Sequence, residues 1–471
     1  MRLLRSLPFR RTLLPAALAT VALCAGLAVS AVAADGPAAP AQPAARAADS
    51  RAATAPDPAG ATGPIHTRAI DASHPAAAAP APAAKWYDNF TLSGTVFFDY
   101  AYYAKTGFGP QFLTQMNQEG PGNNGFNSFD LNRTYLNFIF NPNGAIMARV
   151  TPNIYRQVDG STASQAYGSN GQIGASNNGN LGFRLKYAYV QFNHPFAGSG
   201  TFGKDVVAIG QTTEPLVDWE EALFAYRYIA LTPWNYLSLS STYVGAHVHG
   251  PVMANGREIL DYDLGVFNDT SFHHIETTKQ KSYMGRLTWY PAGTSADRTG
   301  FGLTAFDDRY GTNNNIFAGI ASFQSTDKNY ELAGEVDLGQ NAFSASNLFS
   351  GVGPTSTGAF ANWNTNVVSS VFSGETRQRG YDVFGHARLG SSPATFVFLF
   401  QNFQPNIHVA SDPLDFDRLV LGVSFKVNKN LDMAITSQNI LYTQAQETFN
   451  GQAGAVPTNT NAIILAGQYN F

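Results

Sequence analysis

From Trp86 to the last residue, apolar and polar side chains trade places at every second position in one segment after another. Tyr330, Leu332, Gly334, Val336 and Leu338 fall on one side of such a segment, with Glu331, Ala333, Glu335 and Asp337 on the other. Leu419, Leu421, Val423, Phe425 and Val427 oppose Arg418, Val420, Gly422, Ser424 and Lys426 in the same way, and Tyr381, Val383, Ala387 and Leu389 oppose Asp382, His386 and Arg388. A period of two marks a β-strand. The pattern predicts about sixteen strands, at 88–104, 131–141, 144–157, 183–193, 204–213, 238–249, 257–268, 280–290, 299–309, 314–324, 328–338, 380–390, 393–403, 416–428, 431–443 and 462–471.

The last strand indicates what the apolar face meets. Ile463, Leu465, Gly467, Tyr469 and Phe471 share one side, opposite Ala462, Ile464, Ala466, Gln468 and Asn470. An apolar face crowned by aromatics suits lipid. Open strand edges are not tolerated there, because each unpaired N–H and C=O is costly, so such strands must close into a barrel. A soluble secreted β-sandwich would show the same alternation with its charged face in bulk water. Loop lengths separate the two. Short turn sequences fall at Asn141–Gly144, Ser325–Lys328, Gly390–Pro393 and Asn428–Asn430, and long connections at 105–130, 158–182, 214–237, 339–379 and 444–461. A barrel sorts its connections this way, short at one rim and long at the other; a sandwich has no reason to. The expected fold is an all-β, sixteen-stranded antiparallel transmembrane β-barrel over 85–471, both termini on the short-turn side. Leu136, Phe138, Leu332, Val336, Leu421, Val423, Phe425, Leu465 and Phe471 should face outward.

The N-terminal stretch changes the picture of location. Arg2, Arg5, Arg10 and Arg11 precede an apolar run from Leu13 to Val29, and Ala31-Val32-Ala33 supplies small residues for cleavage. Residues 1–33 therefore read as a secretory signal peptide. Residues 34–84, nearly all Ala, Pro, Gly, Ser and Thr, read as a disordered periplasmic linker. Cys24, the only cysteine, lies within the signal segment, so the barrel is held by its sheet without disulfides. After the signal no apolar run is long enough for a spanning helix. Charged residues make up 13% of the chain against 34 Phe and 21 Tyr, as expected of strands that hide their apolarity by alternation.

Short stretches carry a family resemblance. Leu181-Gly182-Phe183-Arg184-Leu185-Lys186-Tyr187-Ala188-Tyr189-Val190 resembles the strand pattern, ending in an A-Y-V-type triplet, of the phosphate-selective porin O/P family within the bacterial porin superfamily. Val207–Pro215 is similar to that family's G-Q-x-x-x-P-type segment, and Gln468-Tyr469-Asn470-Phe471 fits its closing strand. The resemblance implies a trimeric outer-membrane barrel with the third outside loop folded into the pore. A terminal Phe471 resembles the signal read by the barrel-assembly machinery. The implied activity is passive diffusion of small hydrophilic solutes and ions, with phosphate among the candidate anions. The alternative is a barrel with an enzymatic or structural role, although no motif commits a nucleophile to a base. Nothing calls for a cofactor or for nucleic acid.

Charge then locates candidate chemistry. Without the four signal arginines the chain has 25 basic against 33 acidic residues, a net charge of −8, which favours cations. The third outside loop adds an acidic cluster, Glu214, Asp218, Glu220 and Glu221, followed by Arg227, and is the expected constriction. Basic residues of the inward register, Arg133, Arg149, Arg184, Lys186, Arg286, Arg388, Arg418 and Lys426, form the expected pore wall, with Arg133 and Arg149 as a ladder on one hairpin. If the loop dominates, cations are preferred; if the wall dominates, anions. His247 and His249 share a strand face with Asp261 and Asp263 on the next strand, a weak candidate metal site.

Overall fold

The computed structural model describes residues 86–105, 125–156, 181–237, 239–271, 276, 279–291, 298–311, 313–342, 374–409, 415–443 and 459–471. The expected signal segment and linker, the loop stretches 106–124, 157–180, 343–373 and 444–458, and His273 and His274 lie outside the described residues.

Each expected strand is found. A 3-10 turn, Trp86–Asn89, leads into β1 (Phe90–Lys105), β2 (Phe126–Phe140), β3 (Ile146–Arg156), β4 (Leu181–Asn193) and β5 (Val206–Thr213). Two helices follow, α1 (Val217–Phe224) and α2 (Pro233–Leu237). The chain continues through β6 (Thr242–Ala254), β7 (Arg257–Ser271), β8 (Lys281–Trp289), β9 (Gly300–Tyr310), β10 (Asn314–Gln324) and β11 (Tyr330–Gln340). It ends with β12 (Arg377–Arg388), β13 (Ala394–Gln404), β14 (Phe416–Lys426), β15 (Leu431–Tyr442) and β16 (Thr460–Asn470). Every strand pairs antiparallel with its sequence neighbours, and β1 pairs with β16 from Thr95↔Asn470 to Lys105↔Asn461. The sheet is a closed barrel without a free edge.

The early start of β2 has a simple cause. β2 begins at Phe126, five positions before the sequence pattern predicts, because Phe97 pairs with Arg133 while Phe98 pairs with Leu131. Asn132 is thus an extra residue, a β-bulge that reverses the alternation at that point. Only three residues separate β9 and β10, at the rim that otherwise carries the long connections.

The faces divide as the alternation requires. Val336, Leu421, Val423, Leu465 and Phe471 are exposed on the outer surface, and Leu136, Phe138, Leu332 and Phe425 lie half-buried on the same face. This is an apolar belt with no second sheet against it among the described residues, the surface that lipid would cover. At the seam, Gly94 and Phe471 exchange backbone hydrogen bonds of 2.9 and 3.0 Å. The Phe471 ring lies over Gly94 so closely that any Cβ there would collide with it.

The interior departs from the expectation of a polar lumen. Phe267, Phe306, Phe384, Leu399 and Phe403 point inward and are fully buried. They face an apolar set on the loop between β5 and β6: Leu216, Val217, Leu223, Phe224, Trp234 and Leu237, all at 0% exposure. Phe224 meets Phe384 edge to face, with centroids 5.7 Å apart. Burying side chains of this size is worth roughly 1.5–3 kcal/mol each, so the loop is seated on the barrel wall as part of a core.

Candidate functional site

The seated loop, residues 214–241, begins with a cap. The Glu214 carboxylate accepts the backbone N–H groups of Leu216, at 2.7 Å, and Val217. These are donors that the first turn of α1 leaves without an intrahelical partner, and a carboxylate there also suits the positive end of the helix dipole. Burial pushes the Glu214 carboxyl well above its ordinary range, and the two backbone N–H groups offset part of that. α1 ends at Ala225, whose left-handed φ of 60° closes the helix through an N–H to the Glu221 carbonyl.

The loop then crosses to the far wall. On the near side Arg286 of β8 donates to the Pro215 carbonyl at 2.9 Å and to Asp261 at 2.7 Å, and stacks on Trp219. On the far side Arg418 of β14 donates to the Leu231 carbonyl at 3.1 Å and Gln438 of β15 to the Ile229 carbonyl at 2.8 Å. Tyr228 shares a 2.7 Å hydrogen bond with Ser424. Side chains from β8, β14 and β15 thus hold one loop across the lumen.

Opposite α1 stands a basic wall built on β2, β3 and β4. Thr151 pairs with Tyr187 while Pro152 pairs with Leu185, leaving Lys186 as the extra residue of a bulge. The Gln211 side-chain amide donates to the Leu185 and Lys186 carbonyls, so the irregular backbone stays satisfied. The bulge turns Lys186 and Tyr187 inward together. Cations and rings then alternate up the wall. Arg133 donates to the Tyr135 hydroxyl at 3.4 Å. The Lys186 ammonium lies 4.8 Å from the Tyr135 ring and 5.0 Å from the Tyr187 ring, and the Arg149 guanidinium 4.5 Å from the latter. Arg149 is fixed by Asn137 at 2.8 Å and Thr151 at 3.1 Å. The Tyr187 hydroxyl donates across the gap to Asp218 of α1, at 3.2 Å.

The sequence candidates therefore separate. Asp218, Glu221 and Arg227 are partly exposed on the loop; Arg227 pairs with Glu221, and burial lowers the Arg227 pKa. Glu214 and Glu220 are buried, the first as a cap and the second turned to the wall of β11. Arg133, Arg149, Lys186 and the half-buried Arg184 belong to the basic wall. Arg286 and Arg418 are spent on the loop. Arg388 and Lys426 are exposed at the short-turn rim. The tyrosines that interleave the cations were not among the candidates; the Tyr187-Ala188-Tyr189 spacing was the available signal.

His247 and His249 stack with centroids 5.2 Å apart, but both His247 nitrogens are engaged, with Asp263 at 2.8 Å and Thr212 at 3.1 Å. Asp261 is taken by Arg286. Hydrogen bonds thus occupy both ring nitrogens of His247. Asp263, His247 and Thr212 have the order of a catalytic relay, yet Thr212 is 1% exposed and leaves no space for a substrate at its hydroxyl.

No protein-family model and no curated protein matches this chain. Solved structures do. Salmonella typhi OmpF, in complex with daunomycin, is 10% identical, covering 82% of this chain and 99% of its own, with a TM-score of 0.50. An anion-selective porin from Comamonas acidovorans is 12% identical over 81% of this chain and 99% of its own, at a TM-score of 0.47. The outer membrane channel DcaP of Acinetobacter baumannii is 12% identical over 81% and 97%, also at 0.47. At such identities the likeness concerns the fold, a porin-like barrel.

Proposed function

We propose that this chain is an outer-membrane porin that passes small hydrophilic solutes and ions down their gradients, prefers anions, and works as a trimer inserted through its Phe471 signal. The observation that carries the reading is the balance of charge across the gap. Arg133, Arg149 and Lys186 gather opposite Asp218, whereas Glu221 is paired with Arg227 on its own loop, Glu214 serves as a helix cap and Glu220 turns to β11. The net −8 of the chain counts for less than these groups, since charges beyond a Debye length of about 8 Å are screened in physiological salt. Confined water between the walls screens the near groups less. A wall of cations opposite a weaker acidic face concentrates small anions, phosphate among them, and the transverse field orients dipolar solutes.

Swelling of liposomes holding the folded protein tests the channel reading. Small neutral sugars should enter, and small organic anions should enter faster than cations of equal size. Liposomes that stay impermeable to all of these, with folded barrels inserted, would contradict it.

A further inference from the structure

Behind α1, on the side away from the basic wall, four carboxylates converge. Glu335 and Asp337 share the inner face of β11, and Asp382 of β12 stands directly opposite Glu335. One oxygen from each of these three lies within 4.8 Å of the others. Glu220 of α1 comes within hydrogen-bonding reach of Glu335 from the loop side. All four residues are at most 2% exposed, and among the described residues none of their eight oxygens meets a donor in full hydrogen-bond geometry. The Thr232 hydroxyl lies beside Glu220 and the Trp234 indole beside Asp337, the neutral groups nearest the cluster on the loop side.

A second observation points the same way. Gln401 of β13, directly opposite Asp382, is fully buried, and neither its amide oxygen nor its nitrogen has a partner. Arg418, opposite Gln401 on β14, acts on Asp382 but gives an N–H to the loop at Leu231. One positive charge against four buried carboxylates leaves a large uncompensated cost.

We infer that this cluster is a site for one hard divalent cation of the Ca2+ type, bound by Glu335, Asp337 and Asp382, with Glu220 carrying the loop to the ion and Gln401 offering a neutral carbonyl oxygen. The donors are all oxygen, which suits hard cations and not thiophilic ones. Oxygens on opposite sides of a Ca2+ ion lie about 4.6–5.2 Å apart, wide enough to hold these three within their 4.8 Å spread. The ion would staple α1 to β11 and β12 and so fix Asp218 and Glu221 on the opposite face of the helix. It enters as the loop seats, since the ligands are closed to solvent afterwards. The site stands or falls independently of the channel reading.

The test refolds the full chain from urea into detergent free of lipopolysaccharide, with Ca2+ or with EGTA, followed by desalting and metal analysis. About one Ca2+ per barrel should remain after the first treatment and essentially none after the second. Tb3+ supplied at refolding should luminesce on excitation of tryptophan, since Trp234 adjoins the site. Asp337→Asn with Asp382→Asn should lower retained Ca2+ by on the order of tenfold or more, and Glu220→Ala, which alters only the loop, should lower it as well. Glu375→Gln, at an exposed carboxylate on the rim, should not. Folding is followed separately by heat-modifiable migration. Folded wild-type protein that holds no Ca2+ after refolding with it overturns the inference. So does Ca2+ retained equally by folded Glu220→Ala.

Discussion

Two single residues decide how the ends of the sheet meet and how the walls of the gap are charged. Gly94 has no side chain because the Phe471 ring occupies that space. Gly94→Val should destabilise the barrel by about 1–3 kcal/mol through overpacking, read as a lower urea midpoint in detergent. Phe471→Ala in the same chain should recover much of that loss, and additive effects in the double variant would argue against the contact. Tyr187 is the other. Its ring lies under Arg149 and beside Lys186 while its hydroxyl reaches Asp218. Tyr187→Phe keeps the ring and frees Asp218 from its neutral donor, so anion preference should fall modestly with little change in stability; an unchanged reversal potential would remove Asp218 from the account.

At the scale of elements, the loop from Glu214 to Ser241 is a packed unit held by arginines. Arg286→Ala removes partners from both Asp261 and the Pro215 carbonyl. Losing hydrogen bonds to a charged group costs about 1.5–3 kcal/mol, so the loop should loosen, with noisier single-channel current and faster proteolysis between 214 and 241; quiet, protease-resistant channels would contradict the anchoring role. The strands were readable because one face of each is apolar and the pattern repeats at period two. The bulges at Asn132 and Lys186 were not, since each breaks that period by one residue. The core under the loop was hidden for another reason: Phe267, Phe306, Phe384 and Leu399 occupy the inward register, which the rule of polar lumens assigns to hydrophilic residues. The acidic cluster stayed hidden too, because β11 and β12 are joined through 341–376 and no tight turn fixes their register.

At the scale of the molecule, closure satisfies every strand edge, the outer belt is apolar, and the interior is divided between a seated loop and a basic wall. Chain-wide composition pointed to cations, but the fold sorts carboxylates into a cap and a buried cluster and gathers Arg133, Arg149 and Lys186 on one wall opposite α1. Deleting Phe471 should sharply reduce the barrel recovered from the outer membrane, as measured by heat-modifiable migration; undiminished assembly would exclude that role. The central claim is that the wall of Arg133, Arg149 and Lys186 governs the passage. Its most direct test is the reversal potential of single channels in a planar bilayer under a KCl gradient. Wild-type protein should show discrete openings with a potential of the sign for chloride preference, and Arg133→Ala, Arg149→Ala and Lys186→Ala together should move it toward or past zero. Cation preference in the wild type, or a potential unmoved by the triple substitution, would contradict the account.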